Sequence, residues 1–124
     1  MKKLLAPLLL VFVTACTTVP SFNDTNQSYA SVDIQYAVHS IDCEKEQLPQ
    51  VQRVINKIDW FKFYSTNKGG QTDVLDILSP IEQTATEWKD RATQKEPSVG
   101  FCKLKKTLML EQTQSFSQAV IRRF

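Results

Sequence analysis

Histidine, glycine and cysteine are all scarce, and each scarcity removes a class of function. His39 is the sole histidine. A catalytic base needs a nucleophile and an orienting group within hydrogen-bond reach. No Gly-x-Ser-x-Gly stretch or comparable cysteine motif accompanies it, so no catalytic residue is expected and the chain reads as a non-enzyme. Beyond Cys16, only Cys43 and Cys102 remain. Two distant cysteines and one histidine do not make a ligand set, so no metal and no cofactor are expected. Three glycines supply a turn at Gly69-Gly70 but no phosphate-cradling loop. Asp42, Glu44 and Glu46 cluster beside Lys45, which reads as a solvated loop. A hydrolase using paired acids needs a cleft around them.

Long apolar runs are missing too. The longest, Leu4 to Val13, is about ten residues behind Lys2 and Lys3, whereas a spanning helix needs about 20. It has the form of a cleavable export signal. Val13-Thr14-Ala15-Cys16 follows and resembles the lipobox of bacterial lipoproteins. The resemblance covers residues 1–16. It implies cleavage before Cys16, a diacylglyceryl thioether and an N-acyl chain on that cysteine, and residence in a bacterial envelope. Thr17, where an aspartate would retain the protein at the inner membrane, implies the outer membrane, facing the periplasm. Each buried CH₂ contributes about 0.8 kcal/mol and a single chain holds only marginally, so a triacylated Cys16 is expected to stay in its membrane.

Without residues 1–15, 13 basic residues face 13 acidic ones. A neutral, exported protein is not a nucleic-acid binder. The remaining 109 residues make one small domain, which benefits from a covalent staple. Cys43 and Cys102, in an oxidising compartment, read as a disulfide. Closing a loop of about 60 residues is worth about 4 kcal/mol in the chain-entropy model.

Residues 16–28 are polar apart from Val19 and Phe22 and read as a lipidated, flexible tether; residues 29–124 form the domain. Within Tyr29 to Cys43, Val32, Ile34, Tyr36 and Val38 alternate as in a strand. Tyr29, Val32, Tyr36 and Cys43 also share a helical stripe. A lone strand is not stable, so a helix ending near Cys43 is preferred. Pro49 suits a first turn, and Val51, Val54, Ile55 and Ile58 recur at helical spacing, giving a helix from Leu48 to Tyr64 ended by Asn67-Lys68-Gly69-Gly70. Thr72 or Asp73 caps a short turn through Leu78. Ser79-Pro80-Ile81-Glu82 then has the form of a helix start, with Ile81, Ala85, Trp88 and Ala92 as the inner stripe. After the break at 96–100, a last helix runs from Phe101 to Arg122, with Phe101, Leu108, Met109, Phe116, Ala119 and Val120 on its inner face and Cys102 near the edge. The expected fold is all-α: a disulfide-stapled bundle of about four helices.

Three features bear on function. Trp60-Phe61-Lys62-Phe63-Tyr64 concentrates aromatics. Phe61 stays near the inner stripe, while Trp60 and Phe63 point sideways or opposite. Either the first helix covers them, or Trp60, Phe63 and Tyr64 line an exposed partner-binding groove. The last helix carries Lys103, Lys105, Lys106, Arg122 and Arg123 against Glu111, a solvated face or a site for anionic head groups or an acidic partner. Asn67 to Thr72 is the one loop suited to an inhibitor.

The layout also resembles the helical pilotin lipoproteins of type II secretion. The matching features are the lipobox with Cys16, Cys43 followed by Pro49 opening a helix that holds Trp60, and Cys102 opening the last helix. The likeness is one of pattern over most of residues 40–105. It implies a small outer-membrane lipoprotein that binds the tail of a secretin subunit and carries it outward. The broader expectation is a lipid-anchored, non-enzymatic binding, assembly or regulatory partner of another envelope protein. The alternatives are a pilotin-type chaperone and an inhibitor or accessory factor acting at the cell wall.

Overall fold

The computed structural model describes residues 24–123. The expected signal peptide, Cys16 and most of the tether lie outside the described residues. Four helices follow one another: α1 (Thr25–His39), α2 (Gln47–Lys68), α3 (Thr72–Gln94) and α4 (Val99–Ile121). There is no strand among the described residues, and none of these helices is long and apolar enough to cross a membrane.

Cross-helix contacts give the topology. Gln27 meets Ser65, Asp33 meets Lys57, and the Asp42 loop meets Gln50, so α1 and α2 are antiparallel. Lys62 meets Glu82, Lys105 meets Glu87 and Gln35 meets Ser117. The helices therefore run up, down, up, down, with α1 packed on both α2 and α4. One end of the bundle holds Asp24, Lys68, Thr72 and Arg123. The other holds Cys43, Gln47, Glu96 and Cys102. Between them lies one core, built from residues such as Ile34, Val38, Ile58, Phe61, Leu78, Trp88, Met109 and Phe116.

The staple closes the end remote from Asp24. Cys43 and Cys102 form a disulfide with Cα atoms 5.6 Å apart, joining the α1–α2 loop to the first turn of α4. Beside it, Lys106 Nζ donates to the Ile41 carbonyl at 2.7 Å.

Several elements depart from their sequence reading. Helix α1 starts before residue 29: Asp24 accepts from the backbone N–H groups of Asn26 and Gln27 as the N-cap, so residues 25–28 of the expected tether are its first turn. It ends at His39, and Cys43 sits in the loop. Helix α2 continues one turn past Tyr64 to Lys68, because Ser65 is buried against Gln27. At Gly69 and Gly70 the backbone then adopts positive φ, which glycine tolerates without Cβ strain.

The largest departure is at Pro80. The expected helix start is mid-helix: α3 runs unbroken through Pro80. A proline inside a helix costs about 3 kcal/mol through its missing N–H and ring clash. Here it is exposed, as is Asp76, to whose carbonyl Pro80 has no N–H to donate, so water can satisfy that group. Val74, Leu78, Ile81, Ala85 and Trp88 form one continuous buried stripe across it. That burial, about 25 cal/mol per Å² of apolar surface, outweighs the local break. Glu82 does not cap; its carboxylate accepts from Lys62 Nζ at 2.8 Å.

On α4 the inner face is Cys102, Met109, Thr113, Phe116, Ser117 and Val120. Cys102 is central to it, whereas Leu108 and Ala119 are exposed and Phe101 is half-buried under the Arg91 guanidinium. Two polar residues can lie inside because their hydroxyls are satisfied: Thr113 Oγ1 donates to the Met109 carbonyl at 2.6 Å, and Ser117 Oγ donates to Gln35 Oε1 at 2.8 Å.

Candidate functional site

Helices α1 and α2 leave a groove of about 570 Å³ between them. Its geometry follows from where each residue falls on its helix. Residues on a helix face recur every three or four positions. On α1, Gln27, Ala30, Ser31, Ile34 and Val38 face the core. Tyr29, Val32 and Tyr36 therefore fall on the opposite side, and Tyr29 and Tyr36 are 74% and 66% exposed. The stripe of Tyr29, Val32 and Tyr36 noted in the sequence is thus the solvent side of α1. Helix α1 has two apolar faces, and packing with α2 and α4 selected the one with smaller side chains.

On α2, Phe61 is fully buried and meets Phe116 edge-on at 5.0 Å. Trp60 and Phe63 are 52% and 72% exposed. Helix α1 does not cover them as core. Trp60 lines the groove opposite Tyr29 and stacks on Tyr64, with centroids 5.3 Å apart and planes 9° from parallel. Phe63 projects from the outer side of α2, and Tyr64 is half-buried. Of the three residues singled out for partner binding, Trp60 alone lines the groove, Tyr64 backs it, and Phe63 stands outside.

The groove has an aromatic end and a charged end. Antiparallel packing places Asn26, Tyr29 and Trp60 at one end and Asp33, Arg53 and Lys57 towards the other. Lys57 Nζ and Asp33 Oδ2 are 2.7 Å apart, so these two neutralise each other. Asn56 accepts from Gln52, and Asn26 Nδ2 donates to Tyr64 Oη at 3.2 Å. Arg53 is exposed, and among the described residues its guanidinium has no hydrogen bond or ion pair.

Asp24 ties this aromatic end together. Its carboxylate accepts from Tyr64 Oη at 2.8 Å and Lys68 Nζ at 2.7 Å, besides capping α1. Burial pushes its pKa up, but the Lys68, Tyr64, Gln27 and Asn26 donors together pull harder, and the net shift is downward. A carboxylate with a depressed folded pKa contributes stability above its unfolded value, about 3.9, and loses it as pH falls through the folded one. Asp24→Ala is expected to cost about 1–2 kcal/mol at pH 7 as a lost cap. Asp24→Asn keeps the cap but flattens the loss of stability below about pH 4. Thermal melts from pH 7 to pH 2 check both; an unchanged acid limb in Asp24→Asn would remove Asp24 as its source.

The remaining candidates are dispersed. His39 is exposed at the end of α1, 6.4 Å from the Tyr36 ring. Asp42 accepts from the Glu44 backbone and lies 3.9 Å from Lys45, while Glu44 and Glu46 are exposed. Among the described residues no three His, Cys, Asp or Glu side chains are grouped so as to hold a metal ion. In the 67–72 loop, residues 67–70 are exposed but Gln71 is buried, bonded to Gln27 and Arg123. The cations of the last helix do not form one patch: Lys105 pairs with Glu87, Lys106 bonds Ile41 and Arg123 pairs with Asp73.

Sequence reasoning missed Arg53, Asp24 and the outward tyrosines. A signal for the tyrosines was present: α1 carries Ala30, Ile34 and Val38 on one stripe and Tyr29, Val32 and Tyr36 on another, and one helix face cannot hold both. Compared with protein-family models, with curated proteins and with solved structures, the chain matches none.

Proposed function

We propose that the protein is a lipid-anchored envelope component that binds and positions another envelope protein through the α1–α2 groove. The observation that supports this is the pair of large aromatics, Tyr29 and Trp60, that line that groove outside the core. Both are more than half exposed. Clustered exposed apolar groups mark interaction sites, and Tyr, Trp and Arg are the residue types that dominate binding energy. The lipobox-like Val13-Thr14-Ala15-Cys16 supplies the anchor in this reading, at the outer membrane facing the periplasm. Asp24 lies eight positions after Cys16, a span that reaches at most about 29 Å. A lipid on Cys16 would hold the aromatic end of the groove within that distance of the membrane. A secretin-carrying, pilotin-type role is one form of this proposal; the pattern of Cys16, Cys43, Pro49, Trp60 and Cys102 favours it.

A Tyr29→Ala/Trp60→Ala double variant tests the reading. Both side chains are exposed, so stability should change by no more than about 0.5 kcal/mol per site. Pull-down of the lipidated protein from solubilised envelopes should recover one envelope protein with the wild type and lose it with the folded variant. Recovery by both would place binding elsewhere. A large drop in melting temperature would make these aromatics structural.

A further inference from the structure

We infer that Arg53 is the specificity-determining residue of the groove, and that it takes a carboxylate of the bound protein segment. This rests on the groove being the binding site, as proposed above, and adds what the partner must present there.

The argument is one of charge accounting. Among the described residues, three charged side chains line the groove: Asp33, Arg53 and Lys57. Asp33 and Lys57 are consumed by their own ion pair. That leaves one positive charge, on a side chain whose planar fork suits a carboxylate in bidentate geometry. Of the two amides in the groove, Asn56 already accepts from Gln52 and, at the aromatic end, Asn26 already donates to Tyr64. A sugar chain needs many free donors and acceptors around an aromatic platform, and both of these amides are partly engaged. A mainly apolar wall with one free cation fits a protein segment carrying apolar side chains and one acid. The spacing follows from α2. Trp60 and Arg53 are seven residues apart on one helix, about 10.5 Å along its axis. The bound segment therefore seats an apolar side chain between Tyr29 and Trp60 and places an Asp, a Glu or a terminal carboxylate about 10 Å further along, over Arg53.

The probe is a phage-displayed library of random peptides, selected on the full lipidated mature protein in detergent micelles. Three proteins are used: wild type, Arg53→Glu, and Tyr29→Ala/Trp60→Ala. All three changes are at exposed positions, and circular dichroism melts confirm folding. The expected wild-type consensus has an apolar cluster and one acidic position. Arg53→Glu should bind the selected peptide at least about tenfold more weakly and should itself select Lys or Arg at that position. A consensus without an acidic position, or one that keeps its acid against Arg53→Glu, overturns the role of Arg53 while leaving the groove as a binding site. Equal enrichment on wild type and Tyr29→Ala/Trp60→Ala overturns the groove reading and this inference together. Quenching of Trp60 by soluble peptidoglycan fragments, with no peptide enriched, assigns the groove to a glycan and overturns the inference.

Discussion

Trp88→Ala should be the most damaging single substitution in the helical domain, with an expected loss of about 3–5 kcal/mol from the cavity alone. Trp88 is fully buried in the C-terminal half of α3. Its indole N–H donates to Gln47 Oε1 at 2.9 Å. Gln47 is itself buried, and its amide nitrogen donates to the carbonyls of Pro97, at 2.9 Å, and Ser98. Its backbone N–H donates to Glu96 Oε1. Trp88 thus holds the hub that ties the start of α2 to the α3–α4 loop. Removing the indole leaves a buried acceptor without its donor, which adds about 1–3 kcal/mol. Small domains have a total stability of about 5–15 kcal/mol, so the variant is expected to be largely unfolded or close to it. Trp88→Phe separates the two contributions by keeping most of the ring volume and deleting the donor. Urea titration followed by far-UV circular dichroism measures both. A loss under about 1.5 kcal/mol for Trp88→Ala, well below the range for a buried tryptophan, would mean that the site collapses around the cavity and that Trp88 is not the keystone described.

Removal of the Cys43–Cys102 bond should have the second-largest effect. The two cysteines are 59 residues apart in sequence, and the loop-closure model gives about 4 kcal/mol for a ring of that size. A Cys43→Ala/Cys102→Ala variant, compared with the wild type under oxidising conditions, should show that loss as a lower denaturation midpoint. The effect should also have a location. Residues 40–46 lack helix. Apart from the disulfide, they are held by Lys106 at Ile41, by Gln50, which donates to the Asp42 carbonyl and accepts from its N–H, and by turns within the loop. Hydrogen exchange should therefore rise first in this loop and in the first turn of α4, while the Asp24 end of the bundle stays protected. Cys102 is fully buried and Cys43 is half-buried, so a reductant should attack the folded protein at the Cys43 sulfur. If the double variant melts with the wild type, the disulfide follows folding and does not support it.

The two variants test different ends of the argument from sequence. The disulfide was legible because cysteine is scarce: with Cys16 assigned to lipid, the remaining pair had one possible partner each. Trp88 was legible as the largest member of the stripe Ile81, Ala85, Trp88 and Ala92, all of which are buried. Its hydrogen-bond partner was not. Nothing in the composition marks Gln47 as buried, and the same holds for Gln27 and Gln71. A glutamine is hidden when other elements bring it partners, as Ser65 and Gln71 do for Gln27. Such partners lie tens of residues away in the chain, beyond the reach of any local pattern.

The candidate groove was legible only in part. The aromatic run 60–64 stood out, and Phe61 was placed inside. Whether Trp60 and Phe63 met another helix depended on which face α1 turned inward. Its two stripes, Tyr29, Val32, Tyr36 and Ala30, Ile34, Val38, are both plausible inner faces by periodicity. The bundle chose the smaller one, since α1 packs against both α2 and α4 and close packing favours side chains that interdigitate without strain. That choice left the tyrosines outside and opened the groove beside Trp60.

The sequence by itself determined an all-helical domain, its four main helices and the pairing of Cys43 with Cys102. These follow from 3.6-residue periodicity, from the Gly69-Gly70 and 96–100 breaks (α4 in fact begins inside the second, at Val99), and from the count of cysteines. Tertiary structure decided the continuity of α3 through Pro80, the burial of Gln27, Gln47 and Gln71, the face that α1 shows to solvent, and, among the described residues, which groove cation is left unpaired: Arg53, while Lys57 pairs with Asp33. The physical reason is common to all four. Each depends on a comparison between a local cost or preference and the burial or pairing offered by a residue distant in sequence, and that second quantity exists only once the helices have met.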